Sequence, residues 1–113
     1  MHEYSIVQAL LERVYAEAEA RGATAVNRVC LRVGALAGVE IGLLESAWGR
    51  CRARTPCEGA ELEIVRVKTR WTCSVCRRVI PAGNNHLCDR CGAPAWLTEG
   101  DELVLEQVEL EVP

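Results

Sequence analysis

Four cysteines in the second half of the chain have the spacing of a metal site. They form two Cys-x-x-Cys pairs, Cys73 with Cys76 and Cys88 with Cys91, which eleven residues separate. Two residues between cysteines let both sulfurs reach one ion from a tight turn, and two such turns complete a tetrahedral shell. Gly92 follows the second pair, where a left-handed residue commonly closes the turn. A shell with no open position predicts a structural metal ion rather than a catalytic one.

In a reducing compartment this spacing favours zinc over disulfides. Iron in a rubredoxin-like site of four sulfurs has the same geometry and stays open as an alternative. A redox dithiol is disfavoured, because the pairs lack the strand–helix context of thioredoxin-like proteins. The other three cysteines, Cys30, Cys51 and Cys57, are predicted to be small apolar residues or free thiols. Since four cysteines complete the shell, His86 is predicted to be a surface residue.

The start of the chain, Met1-His2-Glu3, offers a second and different set of ligands. Met1 is expected to be retained, because His2 is too bulky for the usual removal of the initiator methionine. The α-amino group, the His2 backbone nitrogen and the His2 imidazole can form fused chelate rings on one ion, with the Glu3 carboxylate next in reach. Such a nitrogen-rich set suits tetragonal Cu(II) or Ni(II). Taken alone the pattern is weak, since a histidine at position two is more often a frayed, solvated residue.

The hydrophobic pattern predicts the elements that position these groups. Apolar residues at helical spacing predict a helix over 3–21, with Gly22 as its C-terminal cap. A second helix is predicted over 39–54, burying Leu43, Leu44, Ala47, Trp48 and Cys51. Strands are predicted over 26–34, 62–68 and 103–112. The apolar pattern of the last strand changes phase, which predicts a bulge near Glu106 and Gln107.

The order of these elements predicts an α+β fold, with two helices packed on a three-stranded sheet. A segment of different composition, rich in cysteine, glycine, proline and asparagine, lies before the last strand. It predicts an inserted zinc-ribbon module. The predicted domains are therefore an α/β domain of residues 1–68 and 101–113, and a zinc-ribbon domain of residues 69–100.

The charge distribution limits the classes of partner. The net charge is −3, but residues 66–99 carry +4 and the remainder carries −7. Four thiolates on one Zn²⁺ would lower the ribbon to +2, which is little for tight binding to phosphates. We therefore expect no nucleic-acid partner, although a zinc-ribbon nucleic-acid-binding or transcription-associated protein stays the alternative function. No apolar run approaches the ~20 residues of a membrane span, and no secretion signal is evident, so we expect a cytoplasmic protein without a membrane partner.

Four segments together resemble the HypA/HybF family of hydrogenase-maturation nickel chaperones. They are Met1-His2-Glu3-Tyr4-Ser5, Leu31-Arg32-Val33-Gly34, Gly59-Ala60-Glu61-Leu62-Glu63-Ile64 and the two cysteine pairs. The similarity covers essentially the whole chain, in order and at similar length. The Met-His-Glu start combined with a late ribbon of four cysteines is specific, whereas neither part is specific alone.

The resemblance implies a carrier rather than an enzyme. Ni(II) would be bound at Met1, His2 and Glu3 and delivered to the precursor of a [NiFe]-hydrogenase large subunit, or in some organisms to urease. A further acidic ligand or supporting group of the family would fall on Glu40, where some relatives have aspartate. A HypB-type GTPase would be the partner, and the chain would be a monomer or a homodimer. No histidine follows either cysteine pair, unlike in members whose flanking histidines make the zinc site respond to pH.

Overall fold

The computed structural model describes residues 2–81, 83 and 85–113. Met1, one of the predicted nickel ligands, lies outside the described residues. The elements in chain order are α1 (His2–Ala20), β1 (Ala25–Gly34), α2 (Ile41–Cys51), β2 (Glu61–Val67), β3 (Arg70–Cys73), β4 (Val79–Ile80), β5 (Ala95–Glu99) and β6 (Leu103–Glu111). No described helix has the length and apolar character needed to cross a membrane. The chain divides into two compact units.

The first unit comprises Met1–Arg32, Val39–Val65 and Val104–Pro113 and contains both helices. Its sheet has the order β2-β1-β6, so the last strand returns to lie beside the first. The α+β fold with two helices and a three-stranded sheet is thereby confirmed. Helix α1 buries the residues at helical spacing, and β1 buries alternate residues of one face. These residues are Val7, Leu10, Leu11 and Val14 of α1, and Val29, Leu31 and Val33 of β1.

The end of α1 follows the prediction closely. The Ala23 N–H donates to the Ala18 carbonyl at 2.9 Å, and the Gly22 N–H donates to the Glu19 carbonyl at 3.2 Å. This pair of bonds is a Schellman motif, which requires a left-handed residue after the helix. Gly22 supplies it with a φ of 63°.

Helix α2 is shorter than predicted. It begins after Glu40, whose side chain caps it, and ends at Cys51 instead of at residue 54. The prediction that Leu43 is buried was wrong, because this side chain is 45% exposed. The inward face consists of Leu44, Ala47 and Trp48, and Leu43 lies about 100° before Leu44 around the helix, towards solvent. The Trp48 indole N–H donates to the Ala60 carbonyl at 3.2 Å.

The cysteines outside the two pairs behave as buried thiols in two of three cases. Cys57 is fully buried, and burial raises its pKa to about 11. Cys30 is 6% exposed on the outer face of β1, and burial, aided by Glu63, raises its pKa. Cys51 is half-buried. Both raised pKa values keep Cys30 and Cys57 protonated at neutral pH and therefore poor metal ligands.

The second unit comprises Val33–Gly38 and Arg66–Leu103 and contains a second sheet of order β4-β3-β5. The sequence did not reveal this sheet, because strands of two to five residues are too short to show a period. The unit also includes residues 33–38, which comprise the end of β1 and the residues that follow it in the chain. Three backbone N–H groups, of Gly34, Ala35 and Leu36, donate to the carbonyls of Glu102, Val67 and Gly100.

Two glycines, one in close backbone contact and one without such contact, provide a test of this connection. A Cβ on Gly100, whose φ is 102°, would lie 2.7 Å from the Thr69 Cα, whereas a Cβ on Gly49 in α2 would meet nothing within 4 Å. We expect Gly100→Ala to lower the free energy of unfolding by more than about 1 kcal/mol. Gly49→Ala should raise it by about 1 kcal/mol, because alanine is the better helix former. Urea denaturation of the metal-loaded protein measures both, and equal effects would contradict the described backbone contact.

Candidate metal centres

The four paired cysteines converge on one point of the second unit. Their Sγ atoms all lie within 4.8 Å of one another, and within the described residues they form the one such group of potential ligands. The Sγ of Cys76 lies 3.6 Å from that of Cys73, 3.7 Å from that of Cys88 and 3.2 Å from that of Cys91. A tetrahedral ion with Zn–S bonds of ~2.3 Å needs sulfurs ~3.8 Å apart. The four sulfurs therefore fit a zinc ion with small adjustments.

Backbone N–H groups of the two knuckles point at the sulfurs and favour the thiolate form. The N–H groups of Arg90 and Cys91 are the main cause that lowers the pKa of Cys88 to about 6. Burial opposes ionisation of Cys73, but the N–H groups of Cys76 and Val75, together with hydrogen bonds with the thiols of Cys91 and Cys76, lower the pKa of this thiol. Because a metal binds thiolates, these N–H groups favour the metal-binding form of two of the four ligands in the folded ribbon.

The exposed cysteines of the cluster show that four neighbouring thiolates require a cation between them. Hydrogen bonds with the thiols of Cys91, Cys73 and Cys88 raise the pKa of Cys76 to about 12. Four thiolates cannot coexist at van der Waals distance without a positive charge between them. Cys73 and Cys88 are buried and Cys76 and Cys91 are exposed, so the site opens to solvent on one side only.

Side chains around the cluster fix its two knuckles. Arg78 pairs with Asp89, which lies within the second knuckle, and so ties the two halves of the ribbon together. His86 is exposed, as predicted, yet its ring stacks on Trp71 with centroids 3.7 Å apart and planes 13° from parallel. Local spacing does not predict this stack, because it depends on the folding of the whole ribbon.

The predicted nickel residues lie in the first unit. His2 and Glu3 begin α1, and the His2 imidazole is 62% exposed, with its Nδ1 3.6 Å from the Glu3 Oε2. Glu3 is by contrast buried, with 8% of its surface exposed. Its Oε2 accepts a hydrogen bond from the Glu40 backbone N–H at 3.2 Å. This N–H is the main cause that lowers the pKa of Glu3, and His2 contributes to the same effect.

Glu40 is the N-cap of α2. Its two carboxylate oxygens accept hydrogen bonds from the N–H groups of Gly42 at 3.3 Å and Leu43 at 2.7 Å. The structure therefore brings His2, Glu3 and Glu40 to one place, where the N-terminal ends of both helices lie close together. Both carboxylates balance the positive ends of the helix dipoles there. The sequence placed Glu40 at the start of the second helix but did not show that its backbone holds Glu3.

The lowered pKa of Cys88 gives the acid response of the ribbon. Since this pKa is lower in the fold than the ordinary value of 9.0, the thiolate stabilises the ribbon fully above pH 9 and loses its contribution as pH falls through about 6. We expect Co(II) substituted at the four cysteines to be retained at neutral pH and released only at a pH lower than about 6, because the bound ion competes with protons for the thiolates. The ordered environment of Trp71 should be lost with the ion. The thiolate-to-cobalt absorbance and the tryptophan fluorescence measure the two events. Metal release that leaves the ribbon folded would contradict this link.

Comparison with known proteins identifies the family of this chain. The family described as hydrogenase/urease nickel incorporation, metallochaperone, HypA matches residues 1–110. The hydrogenase maturation factor HypA of Nitrosospira multiformis is 42% identical over 112 residues, covering 97% of each chain. A solution structure of a HypA protein has a TM-score of 0.81 at 28% identity, covering 100% of this chain and 98% of the other. The solution structure of the nickel metallochaperone HypA from Helicobacter pylori has a TM-score of 0.75 at 27% identity, covering 98% of each chain.

The match spans both units, from the first residues of α1 into β6, and includes the four cysteines. This coverage and the level of identity confirm the family that the sequence resembles. The chain belongs to the HypA family of nickel metallochaperones, which act in hydrogenase and urease nickel incorporation.

Proposed function

We propose that this chain carries Ni(II), binding it at the start of α1 and delivering it to the precursor of a [NiFe]-hydrogenase large subunit. Family membership supports Ni(II) as the cargo, and one observation of the structure supports the start of α1 as its binding site. The exposed His2 imidazole stands beside a buried carboxylate, Glu3, which the backbone of Glu40 holds in position. A HypB-type GTPase as partner, urease as a further acceptor in some organisms and a cytoplasmic, non-enzymatic role belong to the same proposal.

The first residues of a helix suit a nickel site of this kind. The first backbone N–H groups of α1 have no carbonyl partner within the helix. Replacement of an amide proton by Ni(II), with release of the proton to water, therefore breaks no helical bond. In a chain that starts at Met1, the amine, the His2 amide and the imidazole complete a nitrogen-rich set. Loss of an amide proton also places negative charge at the positive end of the helix dipole, where it is favoured.

The carboxylates have different expected roles. Glu3 uses one oxygen for the Glu40 N–H, and its other oxygen is not committed to that bond. Glu40 already uses both oxygens to cap α2, so its direct ligation would cost the cap about 1 kcal/mol. We therefore assign Glu3 to the nickel site and Glu40 to holding Glu3 and the start of α2 in place.

Exposure of the imidazole explains how cargo leaves. A ligand set at the surface can be replaced one ligand at a time by an acceptor, whereas a buried set must unfold first. The cysteine cluster has four protein ligands and no open position, which suits zinc as a resident structural ion rather than cargo. Iron in the same four sulfurs is the alternative, and the red colour of an iron-loaded protein would reveal it.

Removal of the imidazole tests the nickel site. We expect His2→Ala to abolish stoichiometric Ni(II) binding, because it removes the imidazole and with it the chelate ring that the imidazole closes with the His2 amide nitrogen, while the zinc content stays unchanged. Isothermal calorimetry on untagged protein measures the first and metal analysis measures the second. As a control, an extension of the chain before Met1 should also remove binding. Nickel binding that survives His2→Ala would place the site elsewhere.

The two carboxylates give a graded second test. Glu3→Gln should weaken Ni(II) binding about tenfold or more, because it removes a negative charge beside the ion. Glu40→Gln should weaken it less and should lower the free energy of unfolding by about 1 kcal/mol through loss of the cap. Calorimetry and urea denaturation separate these effects. A larger loss of nickel affinity in Glu40→Gln than in Glu3→Gln would reverse the two assigned roles.

A further inference from the structure

One face of the ribbon sheet is exposed and apolar, and the metal site does not use it. Strand β3 pairs Trp71 with Ile80 and Leu97, and this side packs on the buried Cys73 and Cys88. The next residue, Thr72, pairs with Val79 on one side and Trp96 on the other, so these three side chains form a row on the opposite face. Val79 is 55% and Trp96 is 65% exposed. Large apolar side chains exposed together commonly mark a contact surface.

Trp96 also borders a shallow pocket of about 270 Å³. Its other lining residues are Thr72, Cys73, Ser74, Arg77 and Thr98. The Thr98 hydroxyl donates to the Arg70 carbonyl at 3.1 Å, and it lies 3.0 Å from the Thr72 hydroxyl, which must then act as the donor between the two. The hydroxyl protons are therefore used inside the sheet. Arg77 remains as the charged donor of the pocket, and it has no ion pair within the residues 2–81, 83 and 85–113.

The backbone of Arg77 shows that its side chain stands where the fold would prefer glycine. Its N–H donates to the Cys73 carbonyl at 3.1 Å, as the Gly92 N–H donates to the Cys88 carbonyl at 2.9 Å, so the two residues hold equivalent positions in the two knuckles. Both are left-handed, with φ of 63° at Arg77 and 73° at Gly92. This conformation costs a residue other than glycine about 1 kcal/mol. Strain at a surface position that lines a pocket is a reason to look for a role of the side chain.

The charge of the ribbon selects the kind of occupant. Residues 66–99 carry a net charge of +4, which four thiolates on a divalent metal reduce. That is little for a nucleic acid, whose binding depends on several phosphate contacts, but it is enough to attract a carboxylate-rich peptide. An extended segment can place one apolar side chain against an indole while a neighbouring carboxylate meets a guanidinium.

We propose that the pocket between Trp96 and Arg77 docks an extended acidic segment of a partner protein. An apolar side chain of the segment packs on the exposed indole, and a carboxylate is held by the guanidinium of Arg77. The segment then lies along the outer face of the ribbon, in contact with the row of Val79, Thr72 and Trp96. This docking is independent of nickel, so it can be tested in protein whose nickel site has been removed.

The test uses the zinc-loaded full chain and a short blocked peptide of alternating glutamate and leucine, observed by NMR shifts and Trp96 fluorescence. We expect Arg77→Gly to weaken peptide binding about tenfold, because a charge-assisted hydrogen bond is lost. The same variant should be as stable as the parent or more stable, because glycine relieves the left-handed strain. Trp96→Thr should weaken binding similarly and keep a residue suited to the strand.

Matched controls separate docking from net charge. Arg90→Gln removes one positive charge from the ribbon outside the pocket lining and should leave the affinity unchanged. Arg77→Lys should retain most of it. Equal losses in Arg77→Gly and Arg90→Gln would overturn the proposal, as would the absence of any binding by the parent chain. Tighter binding of single-stranded RNA than of the peptide, or dimerisation of this chain that Trp96→Thr abolishes, would also overturn it in favour of those occupants.

Discussion

Convergence of four thiolates on one ion is the interaction on which the ribbon depends. The buried cluster of its sheet consists of Cys73, Ile80 and Cys88, and two of these three residues are metal ligands. So few buried side chains cannot offset the conformational entropy of a segment of this length. The free energy of metal binding is therefore folding free energy. The stack of His86 on Trp71 and the exposed row on the other face both rely on the frame that the ion closes.

The first unit differs from the ribbon, because its helices and sheet bury an apolar core that does not depend on a metal. The nickel site that we propose for this unit lies where two helices begin and leave backbone N–H groups unsatisfied. Glu40 satisfies two such groups of α2, and the Glu40 N–H in turn holds Glu3 beside His2. The proposed resident ion and the proposed transported ion would thus have different environments: a shell closed by four side chains, and an exposed helix end with replaceable ligands.

Much of this arrangement follows from local patterns. The spacing of the cysteines, the helical repeat of α1 and the alternation of β1 predicted the fold class and the two groups of candidate ligands. The second sheet escaped prediction because its strands are too short for a period. The exposure of Leu43 was not predicted either. Leu44, Ala47 and Trp48 fill the inward face of α2 and leave Leu43 towards solvent. The left-handed Gly22 and Gly92 were predicted correctly, because those positions depend only on their neighbours in the chain.

By itself the sequence determined which atoms are available as ligands and how they are spaced, because covalent geometry fixes what neighbouring residues can reach. Tertiary structure decided which distant groups meet. The Glu3 carboxylate accepts a hydrogen bond from the Glu40 backbone, 37 residues away in the chain. Thr72 lies beside Trp96 because β3 pairs with β5. Such contacts follow from the packing of helices and the register of strands, which depend on the whole chain at once. The cysteine spacing could therefore be interpreted from the chain alone, whereas the support of Glu3 and the setting of Arg77 required the folded molecule.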